Sequence, residues 1–299
     1  MDNVWNKIGR IIIYALVLVV FVGPYWGILM TALSGAPVKP GELLALPHMP
    51  TMENFRFAWA EVKVWRFLLN SMIVVVIGTA LQVSVSALAA YALARKQFMG
   101  MAFVGLLILL TMMLPEEVIA IPLYLVVNYH IPGFEWLTGQ IQSFLLWAFN
   151  YRIPTSGSLY NTHLGMILPV VGWAFSIFLL TEFMKAIPKE LEEAARVDGA
   201  SEWQIFFKVI LPLVKPALGT TMIFGFIMIW DQYLLPLIVV NREVLYTMPV
   251  ILGTLRSDET ITPNIFIAIT LLAMLPSILV YLALQKHFNR GIMSGAVKG

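Results

Sequence analysis

The sequence predicts an all-α integral membrane protein with six transmembrane helices. Apolar residues make up 60% of the 299 residues and charged residues only 12%, with a mean hydropathy of +0.83. The charged fraction is about half that of a typical soluble domain. Predominantly apolar runs long enough to cross about 30 Å of hydrocarbon alternate with polar segments. Together these features predict one transmembrane domain over residues 1–299.

Two further features of composition exclude other classes. The net charge of +2 argues against nucleic acid as a partner. The absence of cysteine excludes a disulfide framework and a thiolate metal or redox site.

The first predicted span covers residues 11–32, which contain no charged residue. A cleaved signal peptide would have a shorter apolar core and a small-residue cleavage site. Ser34-Gly35-Ala36 only partly imitates such a site, so we interpret the run as a permanent helix.

Five more spans follow the first along the chain. They are predicted at residues 68–94, 101–127, 164–183, 217–240 and 264–284. Pro115 and Pro122 are expected to kink the third. A polar and aromatic insertion at 133–159 and a short tail at 291–299 lie outside the spans.

Lysine and arginine are denser in the segments on the side of the N terminus than in the longer opposite loops. The bias of basic residues toward cytoplasmic loops therefore predicts cytoplasmic N and C termini. The charged segment 187–216 falls on the same side.

This charged segment has the pattern of two short helices joined by a glycine. Pro188 suits the first position of a helix over 188–198, and Gly199 suits the left-handed residue that ends it. Ser201 and Gln204 form a capping-box pattern for a second helix, which runs to residue 210. The pattern predicts a docking device for another protein; the alternative is an amphipathic loop lying on lipid headgroups.

Two alanines of the first helix, Ala194 and Ala195, leave one side of it nearly bare. Another protein surface could approach that side closely, which favours the docking interpretation.

The order of residues in this segment resembles a known family. Glu193-Ala194-Ala195, then Asp198-Gly199-Ala200, then Leu211-Pro212 is similar to the EAA loop of ATP-binding cassette (ABC) import permeases. The fuller string, EAARVDGAS followed by ILPLVKPAL, resembles the carbohydrate-uptake branch, and specifically the maltose-type second permease subunit. Further similar stretches are Leu69-Asn70-Ser71, residues 87–95, residues 121–124, residues 247–250 and the final GAVKG.

The resemblance implies a type I importer permease in the bacterial inner membrane. Its partners would be a second, distinct permease, two ABC ATPase subunits and an extracytoplasmic solute-binding protein. The segment at 187–216 would hold a cytoplasmic coupling helix seated in a cleft of an ATPase. The implied coupling residues are Glu193, Ala194, Ala195, Asp198, Gly199, Ala200, Leu211 and Pro212.

The C-terminal tail would reach between the two ATPases, as tails of the maltose type do. The residues concerned are Gly295, Ala296, Val297, Lys298 and Gly299. The alternative for this tail is an ordinary frayed terminus.

No enzyme or nucleotide motif is present. The chain lacks GxxxxGK[ST], so ATP and Mg²⁺ are expected on the partner ATPases and no cofactor on this chain. The four histidines have no metal-ligand spacing, and HExxH and GxSxG are absent. A transport subunit without catalytic residues is the expectation.

Ionisable residues at membrane depth are costly and usually face a cavity. Asp231, Glu116 and Glu117 are therefore candidates for the solute path. Adjacent helical residues point about 100° apart, so the two glutamates cannot share one direction. The alternative for each acid is a hydrogen bond between helices or an interfacial position.

Polar and aromatic residues complete the candidate solute path. Asn70, Trp230, Gln232 and Tyr233 have the side chains that a sugar pocket uses. Family members commonly read Trp-Asn-Glu-Phe where this chain has Trp-Asp-Gln-Tyr, which moves the acid by one residue and onto another helix face.

Three questions stay open at this point. A secondary transporter or channel driven by an ion gradient, with Asp231, Glu116 and Glu117 as cation sites, is the alternative function, and an ABC permease for a non-sugar solute is a third. An anionic solute would require nearby Arg or Lys, and the span cores contain none, although Arg152 or the partner could supply one. The insertion at 133–159 either docks the binding protein or lies among headgroups; its aromatic residues favour the second.

Overall fold

Helices make up almost all of the regular structure. The computed structural model describes residues 4–36, 46–129, 134–149 and 157–296. Within these ranges there is no β-strand, and Ser34 and Pro50 form an isolated antiparallel β-bridge.

The described helices follow one another closely along the chain. They are α1 (Val4–Ala32), α2 (Glu53–Ala60), α3 (Val64–Arg95), α4 (Met101–Met113), α5 (Glu116–Asn128), α6 (Phe134–Phe149), α7 (His163–Ile167), α8 (Ala174–Lys185), α9 (Glu190–Val197), α10 (Glu202–Gln204), α11 (Leu211–Leu213), α12 (Lys215–Trp230), α13 (Leu234–Val239), α14 (Met248–Leu255) and α15 (Pro263–Ala296). Leu168–Val170 and Glu243–Leu245 are 3₁₀ turns, and Ile205–Ile210 is a π-helix.

Four helical stretches within the described ranges are long and apolar enough to cross a membrane by themselves. They are Gly9–Ala32, Val64–Arg95, His163–Lys185 and Pro263–Ala283. Two sharply bent pairs, α4 with α5 and α10–α11 with α12, raise the number of possible spans to six. The predicted number is reached only when each bent pair counts as one span.

The predicted kink at Pro115 is a full change of direction. Helices α4 and α5 meet at 110°, and Leu114 between them is extended, with φ −80° and ψ 124°. The ring of a proline disfavours a helical conformation in the preceding residue, which explains the break at Leu114. Pro122, by contrast, lies inside α5.

The fifth predicted span is interrupted, so the expectation that Asp231 lies in mid-helix is wrong. Helix α12 ends at Trp230, and α13 begins only at Leu234. Pro236 has no N–H to donate to the Gln232 carbonyl, and its ring would clash with that carbonyl in a continuous helix. Asp231 is therefore an exposed residue at a helix end.

The sixth span continues past its predicted end. Helix α15 runs without interruption to Ala296, so residues 291–296 belong to a helix instead of a separate tail. Val297, Lys298 and Gly299 lie outside the described residues. In the insertion at 133–159, α6 forms most of the described part, and Arg152 lies outside the described residues.

By packing, the chain divides into two compact units. Unit 1 contains residues 1–68 and 251–275, and unit 2 contains residues 69–250 and 276–299. In unit 1, two asparagine side chains hold the turn that follows α1. Asn54 Nδ2 donates to the carbonyls of Ala32 and Ser34 at 2.8 and 2.9 Å, and Asn264 Nδ2 donates to the Ser34 carbonyl at 2.7 Å.

In unit 2, α3 packs closely against α8 and α12. Gln82 of α3 is fully buried, and its Nε2 donates to Ser176 Oγ of α8. A Cβ at Gly225 of α12 would overlap the Gln82 Oε1 atom, so only glycine permits this approach. At one end of α3, buried apolar residues of α3, α8, the π-helix and α12 form a core that supports α9.

Candidate functional site

Helix α9 and its turn form a compact polar projection after α8. The helix begins at Glu190, two residues later than the predicted start at Pro188, and Lys189 precedes it. Glu190, Glu192 and Glu193 occupy the first turn, where negative charge interacts favourably with the helix dipole.

The turn after α9 confirms the predicted role of Gly199. Its φ is +81°, in the left-handed region, and open space surrounds the position of a Cβ. Gly199 N–H donates to the Arg196 carbonyl at 3.0 Å, and Ala200 N–H donates to the Ala195 carbonyl at 2.9 Å. These two bonds form a complete Schellman motif, which fixes the direction of the chain at the end of the helix.

The capping box that starts the next helix is also confirmed. Ser201 Oγ accepts from the Gln204 N–H at 3.4 Å, and Gln204 Oε1 accepts from the Ser201 N–H at 2.7 Å. The predicted end at Ile210 is wrong, because the π-helix continues directly into α11 at Leu211 and Pro212. Pro212 is the second residue of α11 and lies inside this continuous helical stretch.

The outer face of α9 carries small and acidic side chains. Glu193, Ala194 and Asp198 are exposed, and Val197 is 87% exposed. The predicted bare face is right for Ala194 and wrong for Ala195, which packs against the core of unit 2 together with Ala200. The open surface is thus narrower than the sequence predicted.

A buried ion pair, which the sequence analysis missed, fastens α9 to α3. Arg95 Nε lies 2.8 Å from Glu192 Oε1, and the two side chains are 2% and 5% exposed. The N–H is not directed at this oxygen, so the contact is ionic and not a well-aligned hydrogen bond. Arg95 Nη2 also donates to the carbonyls of Met184 and Ile187, at 2.6 and 2.7 Å. These hydrogen bonds satisfy carbonyl groups at the C-terminal end of α8, which have no partner within the helix.

A second, more exposed set of charges holds α10 in place. Lys96 Nζ lies 2.5 Å from Glu202 Oε2, and Tyr91 donates its hydroxyl proton to the same oxygen at 3.0 Å. Arg196 of α9 reaches Glu202 at 3.4 Å and Glu192 at 3.6 Å. The basic pair at the end of α3, opposite an acidic run, is the sequence signal that could have indicated these contacts.

Two solute-path candidates have packing roles in unit 2. Asn70 is fully buried; its Nδ2 donates to the carbonyls of Val244 and Tyr246 at 2.9 and 3.0 Å, and its Oδ1 lies 3.0 Å from His163 Nε2. Trp230 is 5% exposed and stacks on Phe226 with 5.9 Å between ring centroids. Neither side chain presents a surface to a solute.

Two other candidates come together. Glu116 and Gln232 both line one cavity of 410 Å³ in unit 2. Glu117 does not line it, as the 100° offset between neighbours predicts. Asp231 and Tyr233 are exposed at the adjacent helix break but also lie outside the lining.

The comparisons with known proteins agree with this geometry. Residues 82–294 match the family model described as binding-protein-dependent transport system inner membrane component. The arabinooligosaccharides transport system permease protein AraQ of Halalkalibacterium halodurans is 28% identical over 254 residues, which cover 85% of this chain and 81% of that protein. The lactose transport system permease protein LacG of Rhizobium radiobacter is 32% identical over 246 residues, covering 82% and 80%.

The fold has a counterpart among solved structures. The crystal structure of a bacterial ABC transporter involved in the import of the acidic polysaccharide alginate contains a chain with a TM-score of 0.72 and 23% identity. The match covers 96% of this chain and 99% of that one. The family match includes α9, its glycine turn and the lining of the cavity, and this chain belongs to the family of binding-protein-dependent transport system inner membrane components.

Proposed function

We propose that this chain is a permease subunit of an ATP-driven importer for a carbohydrate or carbohydrate-like solute. It would form the translocation path with a second, distinct permease in the bacterial inner membrane, with both termini in the cytoplasm. Two ATPase subunits would supply the energy, and an extracytoplasmic binding protein would deliver the solute. Family membership and the transport of arabinooligosaccharides and lactose for which AraQ and LacG are named support this proposal.

The observation that carries the coupling role is the construction of α9. Its outer face is exposed, whereas its inner face is fixed to α3 by the buried pair of Arg95 and Glu192. A force applied to the outer face would therefore reach the ends of α3 and α8 without being absorbed by a flexible loop. The residues in contact with the ATPase would be Glu193, Ala194 and Asp198, with Gly199 setting the turn.

A pull-down tests this proposal directly. The chain is solubilised from its own membranes in detergent and recovered by an affinity tag, either unaltered or with Glu193→Lys. Glu243→Lys is the matched control, because Glu243 is also an exposed acid but lies in a 3₁₀ turn far along the chain from α9. We expect the unaltered chain and the control to recover an ATPase, and Glu193→Lys to recover much less.

The outcome separates the proposal from its alternative. An intact membrane complex that contains no ATPase, with transport that persists after loss of the ATPase genes, would refute the proposal. It would favour a transporter driven by an ion gradient.

A further inference from the structure

Three interruptions of transmembrane helices meet at the 410 Å³ cavity of unit 2. The first is the bend between α4 and α5, from which Leu114 and Glu116 line the cavity. The second is the turn before α8, which contributes Gly172 and Trp173, and the third is the break after α12, which contributes Gln232. Non-helical backbone within a membrane is tolerated only where protein buries it or where it lines a water-filled cavity.

The three interruptions lie at similar distances along their helices. Helices α4, α8 and α12, each with an interruption at one end, contain 13, 12 and 16 residues. At 1.5 Å per residue, each interruption lies about 20, 18 and 24 Å from the other end of its helix. The cavity is therefore well separated from the opposite ends of these helices.

The lining has the chemistry of a site for a hydroxyl-rich solute. Most of it is apolar, and the polar side chains converge from different helices, as in ligand pockets of about 300–1,000 Å³. The Glu116 carboxylate accepts hydrogen bonds, the Gln232 amide both donates and accepts them, and the half-buried Trp173 ring offers an apolar face.

The charge of the lining selects among such solutes. Glu116 is the one ionisable residue among the described residues that line the cavity, and these include no lysine, arginine or histidine. An acidic saccharide would have to approach this carboxylate without a compensating cation from this chain. A neutral saccharide would meet only hydrogen-bonding groups and apolar surface.

We propose that this cavity is the part of the solute path that this chain contributes, and that it accepts neutral saccharides and disfavours acidic ones. Glu116 and Gln232 bind solute hydroxyl groups, and Trp173 contacts the apolar face of a sugar ring. This proposal rests on the proposed function, because it assigns the solute class for that same path.

The natural absence of cysteine makes the cavity accessible to a direct test. Leu234→Cys is introduced into the chain within its complete complex, reconstituted in proteoliposomes, because Leu234 lines the cavity without a proposed role in binding. The new thiol is treated with a cationic or an anionic methanethiosulfonate reagent, and the labelled chain is separated from its partners on a gel. Leu237→Cys is the matched control, because Leu237 lies on the same helix, α13, is 40% exposed and does not line the cavity.

We expect the cationic reagent to label Leu234→Cys faster than the anionic one by a factor on the order of tenfold. Adding Glu116→Gln should abolish this preference. Lactose, as a neutral probe, should slow the labelling of Leu234→Cys, and digalacturonate, as an acidic probe, should not. Leu237→Cys should respond to neither Glu116→Gln nor the saccharides.

Three results would overturn the proposal: a charge preference that survives Glu116→Gln, protection by digalacturonate alone, or protection by neither saccharide. The labelling needs no ATP, so its result is independent of whether the complex contains a functional ATPase. Failure of the cavity assignment is thereby distinguished from failure of the importer assignment, which the pull-down measures.

Discussion

Arg95, the last residue of α3, lies 2.8 Å from Glu192 in the first turn of α9, and both side chains are almost completely buried. The same guanidinium donates hydrogen bonds to two backbone carbonyls at the end of α8. One side chain therefore joins three helices at the base of α9. This arrangement makes α9 an extension of the core of unit 2.

Glu192→Gln should destabilise the complex strongly, whereas Glu193→Gln should not. Removing one partner of a buried ion pair leaves an uncompensated charge, at a cost of about 3–5 kcal/mol. Glu193 is the neighbouring but exposed acid, so it is the natural control. Thermal unfolding of the detergent-solubilised complex measures the difference, and equal transition temperatures for the two variants would contradict a structural role for the pair.

Gly199→Val should impair the coupling of ATP hydrolysis to transport. Nothing lies within 4 Å of a Cβ at this position, so the cost comes only from the left-handed backbone, about 1–2 kcal/mol for a residue other than glycine. A β-branched side chain resists this conformation most. Gly199→Asn is the control, since asparagine tolerates it. Solute uptake per ATP hydrolysed in proteoliposomes checks the prediction, and normal coupling in the valine variant would refute it.

Gly225→Ala should disturb the packing of α12 on α3. The added Cβ would overlap the carboxamide of the buried Gln82, and overpacking of this kind costs about 1–3 kcal/mol. Gly105→Ala in α4 serves as the control, because open space surrounds that Cβ position. The yield of assembled complex and its thermal stability are the measurements. Two variants with the same stability would show that the helices adjust freely at this contact.

Asn70→Leu should lower stability without changing solute preference. The variant removes the buried amide that donates to the carbonyls of Val244 and Tyr246 and lies 3.0 Å from His163 Nε2, and a buried polar group that loses its partner costs about 1–3 kcal/mol. Gln232→Ala should show the opposite pattern, since this residue lines the cavity. Stability and competition between saccharides in uptake assays separate the two effects. A changed solute preference in Asn70→Leu would return Asn70 to the solute path.

Local signals made the turn between α9 and α10 predictable. The conformation of Gly199 and the capping box of Ser201 and Gln204 depend on residues within a few positions of one another, and the structure contains both. The number of long apolar segments was likewise visible in the sequence, because hydrophobic length directly reflects membrane thickness.

Interactions between distant residues were not predictable in the same way. Arg95 and Glu192 lie on segments separated by α4 to α8; the basic pair and the acidic run are complementary in charge, but the fold decides which of their residues pair. The break after Trp230 was missed because the mean hydropathy of a segment carries no information on backbone hydrogen bonding. Pro236 removes the hydrogen bond to the carbonyl four residues earlier, and its ring clashes with that carbonyl in a continuous helix. Asn70 and Trp230 were assigned to the path by residue type, whereas burial decides their role.

The length of α15 has a consequence for any protein that meets the C terminus. Its 34 residues span about 51 Å as a helix, well beyond the thickness of the hydrocarbon core. The backbone of residues 285–296 is thus already ordered before a partner arrives. When a partner binds this helical segment, the segment loses little backbone conformational entropy. A small contact area there can therefore give a useful affinity.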